Sequence, residues 1–353
     1  MDFTYDDEQR ALRSAVREMA TRLAPETTGD VPVGPQTVDP KAWQTLAEMG
    51  LLGLPIAEDA GGMGASAVEV AIAASELGSA RSTLPYADAL TANVILAGAG
   101  HELLEGAVDG SALVLTAFGE PGAAWDPDNP QATGRKDGDG YVLSGHKLGA
   151  TDLTGVAAVV TTAHCPDEGC TCVFLVENPK VVGTSLRLDG PATRLGDLDL
   201  LHRGLNIGLV TLGAEALGAM ESALSMTVDY LKTRKQFGVP LATFQTLTQR
   251  AADMYTSVEL ARSTVLFAAM EIAHDPTDRA TTSRLKAFVG RTGRHVGQEA
   301  IQLHGGIGMT AEYAVGHYTS RLTAIEHTFG DTRYHLARLA AALGDHEMVD
   351  VVS

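Results

Sequence analysis

The residue pattern of this chain changes period twice, and the resulting order of segments constrains its fold more than any other feature. Leu12, Ala15, Val16 and Met19 recur at helical spacing, with acidic residues gathered at the N-terminal end of that segment. The Pro/Gly-bearing stretch TTGDVPVGPQTVDP leads to a second helix around Trp43, Leu46 and Met49. AEDAGGMGAS reads as a loop, Ser66 or Ala67 opens an Ala-rich helix through Leu77, and another helix from Ala87 to Leu104 is interrupted by Gly98 and Gly100. Near Ser111 the period becomes that of strands. SALVLTAF, QATGRKDGDGYVLSG, GVAAVVTTAH, CTCVFLVEN and VVGTSLRLDG are short and separated by turn residues, with DGDG at 137–140 a hairpin signal. From about Leu205 helical spacing returns, in segments near 207–234, 241–273, 278–303, 311–326 and 331–344. The expected fold is α+β: an N-terminal helical domain (1–110), a small central β domain (111–204) and a C-terminal antiparallel helix bundle (205–353).

A chain of 353 residues suits two or three domains. Its formal net charge of -18 argues against nucleic acid, which calls for a basic face. No apolar run approaches the roughly 20 residues of a membrane span. The start, MDFTYDDEQRALRSAV, is acidic and lacks an apolar signal core, so a cytoplasmic location with no membrane partner is expected. The three cysteines share one stretch, His164-Cys165-Pro-Asp-Glu-Gly-Cys170-Thr-Cys172. Zinc is chemically conceivable there, but the spacing matches no common Cys-x-x-Cys pair, so the stretch reads as a Pro/Gly turn between strands and no metal is expected.

Two C-terminal motifs carry the chemistry. The first is Tyr230-Leu-Lys-Thr-Arg234-Lys-Gln236-Phe237-Gly238-Val-Pro-Leu-Ala-Thr-Phe244-Gln245, and the second is Gln302-Leu-His304-Gly305-Gly306-Ile-Gly308-Met-Thr-Ala-Glu-Tyr. Arg234 offers a planar fork of donors suited to a pyrophosphate. Gly238 reads as a helix stop and Pro240 as the start of the next helix, whose first N–H groups can receive an anion. Gly305, Gly306 and Gly308 suit positive φ or a close backbone approach to a ligand. His304 reads as a helix C-terminal residue favoured by the dipole.

These motifs resemble those of the acyl-CoA dehydrogenase family, and the segment order resembles its fold. The resemblance implies FAD as cofactor. It places Arg234, Gln236, Phe237, Phe244, Gln245, Gln302, Gly305 and Gly306 against the ADP half of an FAD that belongs to a neighbouring subunit. In a chain this acidic, such polyanions must be met by local arginines, helix N-termini or a more basic partner.

The family abstracts a substrate α-proton with a glutamate, and here the resemblance fails. In most members that glutamate precedes a glycine after the Gly-rich motif; the segment here is Ile325-Glu326-His327-Thr328-Phe329-Gly330-Asp331-Thr332, which puts Phe329 at the position. In other members it stands early on the helix leading to the arginine motif, a position that falls on Gly208, with Leu209 where a substrate-binding arginine is common. The flavin-side loop reads Gly119-Glu120-Pro121-Gly-Ala-Ala124-Trp125-Asp126, with Trp125 in place of a serine and Gly119 in place of a threonine. Gly149 stands where an aromatic packs on the flavin ring, and only Thr151 survives nearby.

The expectation is therefore an FAD-holding subunit without catalytic residues of its own. It resembles the β-type subunit of actinobacterial α2β2 acyl-CoA dehydrogenases, with a second acyl-CoA dehydrogenase-like subunit as partner. The complex would introduce an α,β double bond into an acyl-CoA thioester, a steroid side-chain CoA among the candidates, and pass electrons to electron-transfer flavoprotein. Two alternatives stand beside it. One is a homo-oligomeric dehydrogenase with its base relocated to Glu215, Glu326 or Asp331; the other is a non-redox scaffold or ligand carrier of the same fold.

Overall fold

Asp6 and Ser66 each open a helix by the same device. Their side chains accept from the first turn while Gln9 and Glu69 reach back to the capping residue's N–H, setting the starts of α1 (Asp7–Leu23) and α3 (Ala67–Ser79). The computed structural model describes residues 5–25, 37–138 and 140–345, so most of the stretch TTGDVPVGPQTVDP lies outside the described residues. Between and after these helices come α2 (Pro40–Glu48), α4 (Tyr86–Ala99) and α5 (Leu103–Val108). The break expected around two glycines falls at Gly100, whose φ of 63° ends α4, whereas Gly98 stays helical.

The β domain is an eight-stranded sheet of β1 (Val114–Ala117), β2 (Thr133–Asp137), β3 (Gly140–Leu148), β4 (Ala158–Cys165), β5 (Cys170–Glu177), β6 (Lys180–Val182), β7 (Ser185–Leu188) and β8 (Pro191–Gly196). Its order is β1-β4-β5-β8-β3-β7-β6, with β2 paired to β3 and β4. The DGDG signal joins β2 to β3 in antiparallel register, Asp137 opposite Gly140. Strand β8 was not expected, since it opens on Pro191 and exposes much of its length, yet it pairs with both β5 and β3 and so joins the two hairpins.

The bundle consists of α6 (Leu198–Thr233), α7 (Gln245–His274), α8 (Arg279–His304), α9 (Ala314–His327) and α10 (Thr332–Ala341). Asp197 caps α6, so the helix starts at Leu198 rather than near 205; the early polar turns hid its start. By length and composition α6 is apolar enough to cross a membrane, contrary to the expectation from the sequence. It is instead a core helix, with 83% of its most apolar window buried inside the fold. α3 crosses it so closely that Gly78 and Gly218 each face the other helix's backbone, with no room for a methyl group.

Candidate functional site

Two regions answer to the two halves of the expected cofactor, and α6 runs between them. At its C-terminal end, Arg234 ends the helix and a tight two-stranded ribbon follows, β9 (Lys235–Gln236) against β10 (Val239–Pro240). Gly238 is thus a turn residue with φ of 82°, and Phe237 shares the left-handed region at 53°. Gly238 does not stop the helix, and Pro240 opens only the 3-10 turn Leu241–Thr243 ahead of the next one. α7 begins at Gln245, and no side chain caps its first N–H groups. The ribbon intervenes because both of its turn residues take positive φ, a requirement that a helix-ending glycine would share.

Arg234, Gln236, Gln302, Gly305 and Gly306 line one solvent-open groove of about 530 Å³, together with Tyr230, Arg250 and His304. Arg234 is exposed and makes no ion pair among the described residues, whereas Arg250 is held by Glu299 at 2.6 and 3.0 Å. Of the three glycines, only Gly305 takes positive φ, at 66°. Gly305 and Gly306 face open space, while Gly308 packs on His304 and serves the backbone turn rather than the groove. Phe244 and Gln245 are not in the groove lining. Phe244 supports the ribbon tip instead, its ring edge-on to Phe237 at 6.2 Å. Phe237 is 91% exposed and Met309 80%, a degree of apolar exposure that marks a surface made to be covered.

His304 is not the charged helix-end residue expected. It is buried between Tyr230 (4.6 Å) and Tyr313 (5.0 Å), its Nδ1–H donates to the Ala300 carbonyl, and burial pushes its pKa down. It acts as the packed floor of the groove. Tyr230 and Arg250 were not among the expected site residues; the spacing Tyr230-x-x-x-Arg234, one turn apart on α6, was the available signal for the first.

At the other end the space is filled. Phe329 and Gly208, the two positions to which the resemblance was expected to bring the base, touch: a Cβ on Gly208 would lie 2.8 Å from Phe329 Cε2 and would collide with Thr91 Oγ1. Phe329 is 3% exposed and has φ of 56°, a strained value for a bulky residue. Its backbone is held from two sides. His335 Nε2–H donates to the Phe329 carbonyl at 2.9 Å, while the fully buried Lys286 donates to the carbonyls of Gly330 and Glu326 at 2.6 and 2.9 Å. Burial lowers the Lys286 pKa to about 8. Trp125 stands edge-on to Tyr334 at 4.9 Å, and together with Leu205, Leu209, Thr282 and His335 they leave a cavity of about 10 Å³, room for one water at most. Leu153 lies 3.0 Å from where a side chain on Gly149 would begin, and the Thr151 hydroxyl donates to the buried Asp88 at 2.7 Å.

Glu120 and Lys147 of the flavin-side segments form a buried pair at 2.8 Å, and Glu120 also accepts from the N–H groups of Gln131 and Ala132. Asp128 binds His202 at 3.0 Å and Arg279 at 2.7 Å, which holds its carboxyl at about 2 and ties this loop to α6 and α8. The loop is thus locked in place.

The three acids weighed as relocated bases each have another task. Glu215 is gripped at both oxygens by Arg321, at 2.5 and 2.9 Å. Asp331 caps α10 by accepting from the Tyr334 N–H at 2.8 Å. Glu326 is buried, accepts from the Thr332 N–H at 3.0 Å, and holds its other oxygen close to Gly290 of α8.

The His335 ring makes this end sensitive to acid. Burial and the nearby Lys286 charge hold its pKa at about 3 against an ordinary 6.5. The unfolded chain therefore binds a proton between those values that the folded chain refuses. Stability present above pH 6.5 is lost as pH falls through that window, by about 2 kcal/mol at pH 5. The urea midpoint is expected to fall between pH 7 and pH 5, and the fall is expected to be smaller in His335→Gln.

The chain belongs to the acyl-CoA dehydrogenase family: its residues 6–104 match the family's N-terminal domain and residues 198–344 its C-terminal domain. This is a family of FAD-dependent oxidoreductases, and FAD is the cofactor. Among relatives, the chain is similar to the acyl-CoA dehydrogenase FadE28 of Mycobacterium tuberculosis, at 29% identity over 97% of this chain and 98% of that one. It is also similar to the solved structure of the Tcur3481-Tcur3483 steroid ACAD, at 30% identity and a TM-score of 0.85, covering 96% of this chain and 98% of that one. The ChsE4-ChsE5 complex of Mycobacterium tuberculosis shares the fold, at a TM-score of 0.86 and 24% identity, over 99% of this chain and 100% of that one.

The residues present fit only half of the cofactor. The groove offers a guanidinium with no ion pair among the described residues and glycines open to solvent, both suited to a diphosphate. The cavity of about 10 Å³ beside Trp125 is too small for a flavin ring.

Proposed function

We propose that this chain is the non-catalytic subunit of a heteromeric, cytoplasmic α2β2 acyl-CoA dehydrogenase, holding the ADP half of FAD for a partner that supplies the base and the flavin-ring pocket. The observation that carries this reading is the contrast between the open groove at Arg234 and the filled space where Phe329 lies on Gly208. A relocated base finds no support, since Glu215, Glu326 and Asp331 are each committed to helix ends or ion pairs. A scaffold has no use for an unpaired arginine in a groove of this shape.

In the complex, Arg234 would bind the diphosphate while Gln236 and Gln302 add polar contacts, and Gly305 and Gly306 let the ligand approach the backbone. Phe237, Phe244 and Gln245 would pack at the edge, where the exposed Phe237 and Met309 meet the partner subunit. FAD, when bound, supplies the hydride acceptor, and electron-transfer flavoprotein takes the electrons onward. A steroid side-chain CoA thioester is the substrate class, supported by the relative named as a steroid ACAD.

The chain expressed alone is expected to be colourless and inactive, and to acquire FAD only when co-expressed with its partner. A yellow, active homo-oligomer would refute the subunit reading. In the complex, Arg234→Ala is expected to weaken FAD retention about 10- to 100-fold, the worth of one charge-assisted contact. Ultrafiltration and flavin fluorescence measure the released cofactor.

A further inference from the structure

The β4–β5 hairpin gathers thiols that the linear spacing keeps apart. Its register sets Cys165 opposite Cys170 and Ala163 opposite Cys172. Since side chains alternate between faces, Cys165, Cys170 and Cys172 all project from the same face of the sheet. The Cys170 and Cys172 sulfurs are 3.6 Å apart, and the Cys170 thiol lies 4.0 Å from Glu168 Oε2. One ligand atom from each of Glu168, Cys170 and Cys172 falls within a 4.8 Å cluster.

We propose that this cluster binds a soft divalent metal ion of the zinc class, through Cys170, Cys172 and Glu168, with the fourth position left to water. Three observations carry it. The sulfur–sulfur distance is close to the roughly 3.8 Å edge of a tetrahedron with 2.3 Å zinc–sulfur bonds. Glu168 is oriented by Tyr141, whose hydroxyl donates to Oε1, and by Arg194 at 2.8 Å from Oε2, the kind of outer support that fixes a ligating carboxylate. Arg194 also offsets the excess negative charge of thiolates and carboxylate around a dication. Finally, Cys170 is exposed, which gives the ion a way in.

An ion of the zinc class binds thiolate rather than thiol, so the thiol protons must leave. Metal binding releases those protons to solvent, which makes affinity fall as pH falls. Function in the complex does not enter this inference, which stands or fails separately.

The test is titration of the chelator-treated full chain, in whatever assembly it purifies, with zinc alone and with cobalt(II) alone. One cobalt per chain is expected, with a sulfur-to-cobalt charge-transfer band in the near ultraviolet that zinc abolishes. Zinc should also protect the exposed Cys170 from a thiol reagent. Cys170→Ser changes an exposed residue and leaves the fold intact; it is expected to weaken cobalt binding at least 10-fold, as is Glu168→Gln to a smaller degree. Absence of the charge-transfer band, or cobalt affinity unchanged in Cys170→Ser, would overturn the proposal.

Discussion

Arg321→Ala is expected to destabilise the chain by about 3 kcal/mol, because it strands the Glu215 carboxylate. Glu215 is 6% exposed, and both of its oxygens accept from the one guanidinium. Without Arg321 the carboxylate must either stay charged in a poorly solvated site or bind a proton. The companion variant Glu215→Gln isolates the chemistry: turnover of the complex is expected within about twofold of native, since a carboxylate locked in a two-point ion pair is no base. A drop of several orders of magnitude would identify Glu215 as the base and end the subunit reading.

Phe329→Ala is the second large effect, also about 3 kcal/mol, from truncating a buried aromatic that fills the space over Gly208. Phe329→Gly separates packing from backbone. Alanine keeps the strain of φ at 56°, whereas glycine relieves about 1 kcal/mol of it, so the glycine variant should be no less stable than the alanine one despite losing a further methyl. Denaturation midpoints decide the order. Neither change touches the groove at Arg234, so FAD retention by the complex should stay near native.

The order of the three segments was legible because it rests on periodicity, which burial enforces over many residues at once. Strand β8 was not, because PATRLG has too little apolar alternation to announce a strand whose partners lie far away in sequence. The groove was legible in Arg234, Gln302 and Gly305, which the fold brings to one lining. The roles of Gly238 and His304 were not, since positive φ serves a turn as well as a helix end, and a helix-end histidine can be buried against tyrosines that come from elsewhere in the chain. The filled site could be suspected from Phe329 and Gly208 as separate anomalies. That one occupies the space of the other is a fact of three dimensions only.

Helix α6 carries Gly208 near one end and Tyr230 near the other, about 33 Å apart by helical rise. That span is several screening lengths at physiological salt and well beyond the range at which substitutions usually couple. Changes at the two ends should thus add without interfering. One end of the rod can be rebuilt, even reopened as a pocket, with no penalty at the other, which makes this chain a chassis on which chemistry and cofactor retention can be engineered as separate modules.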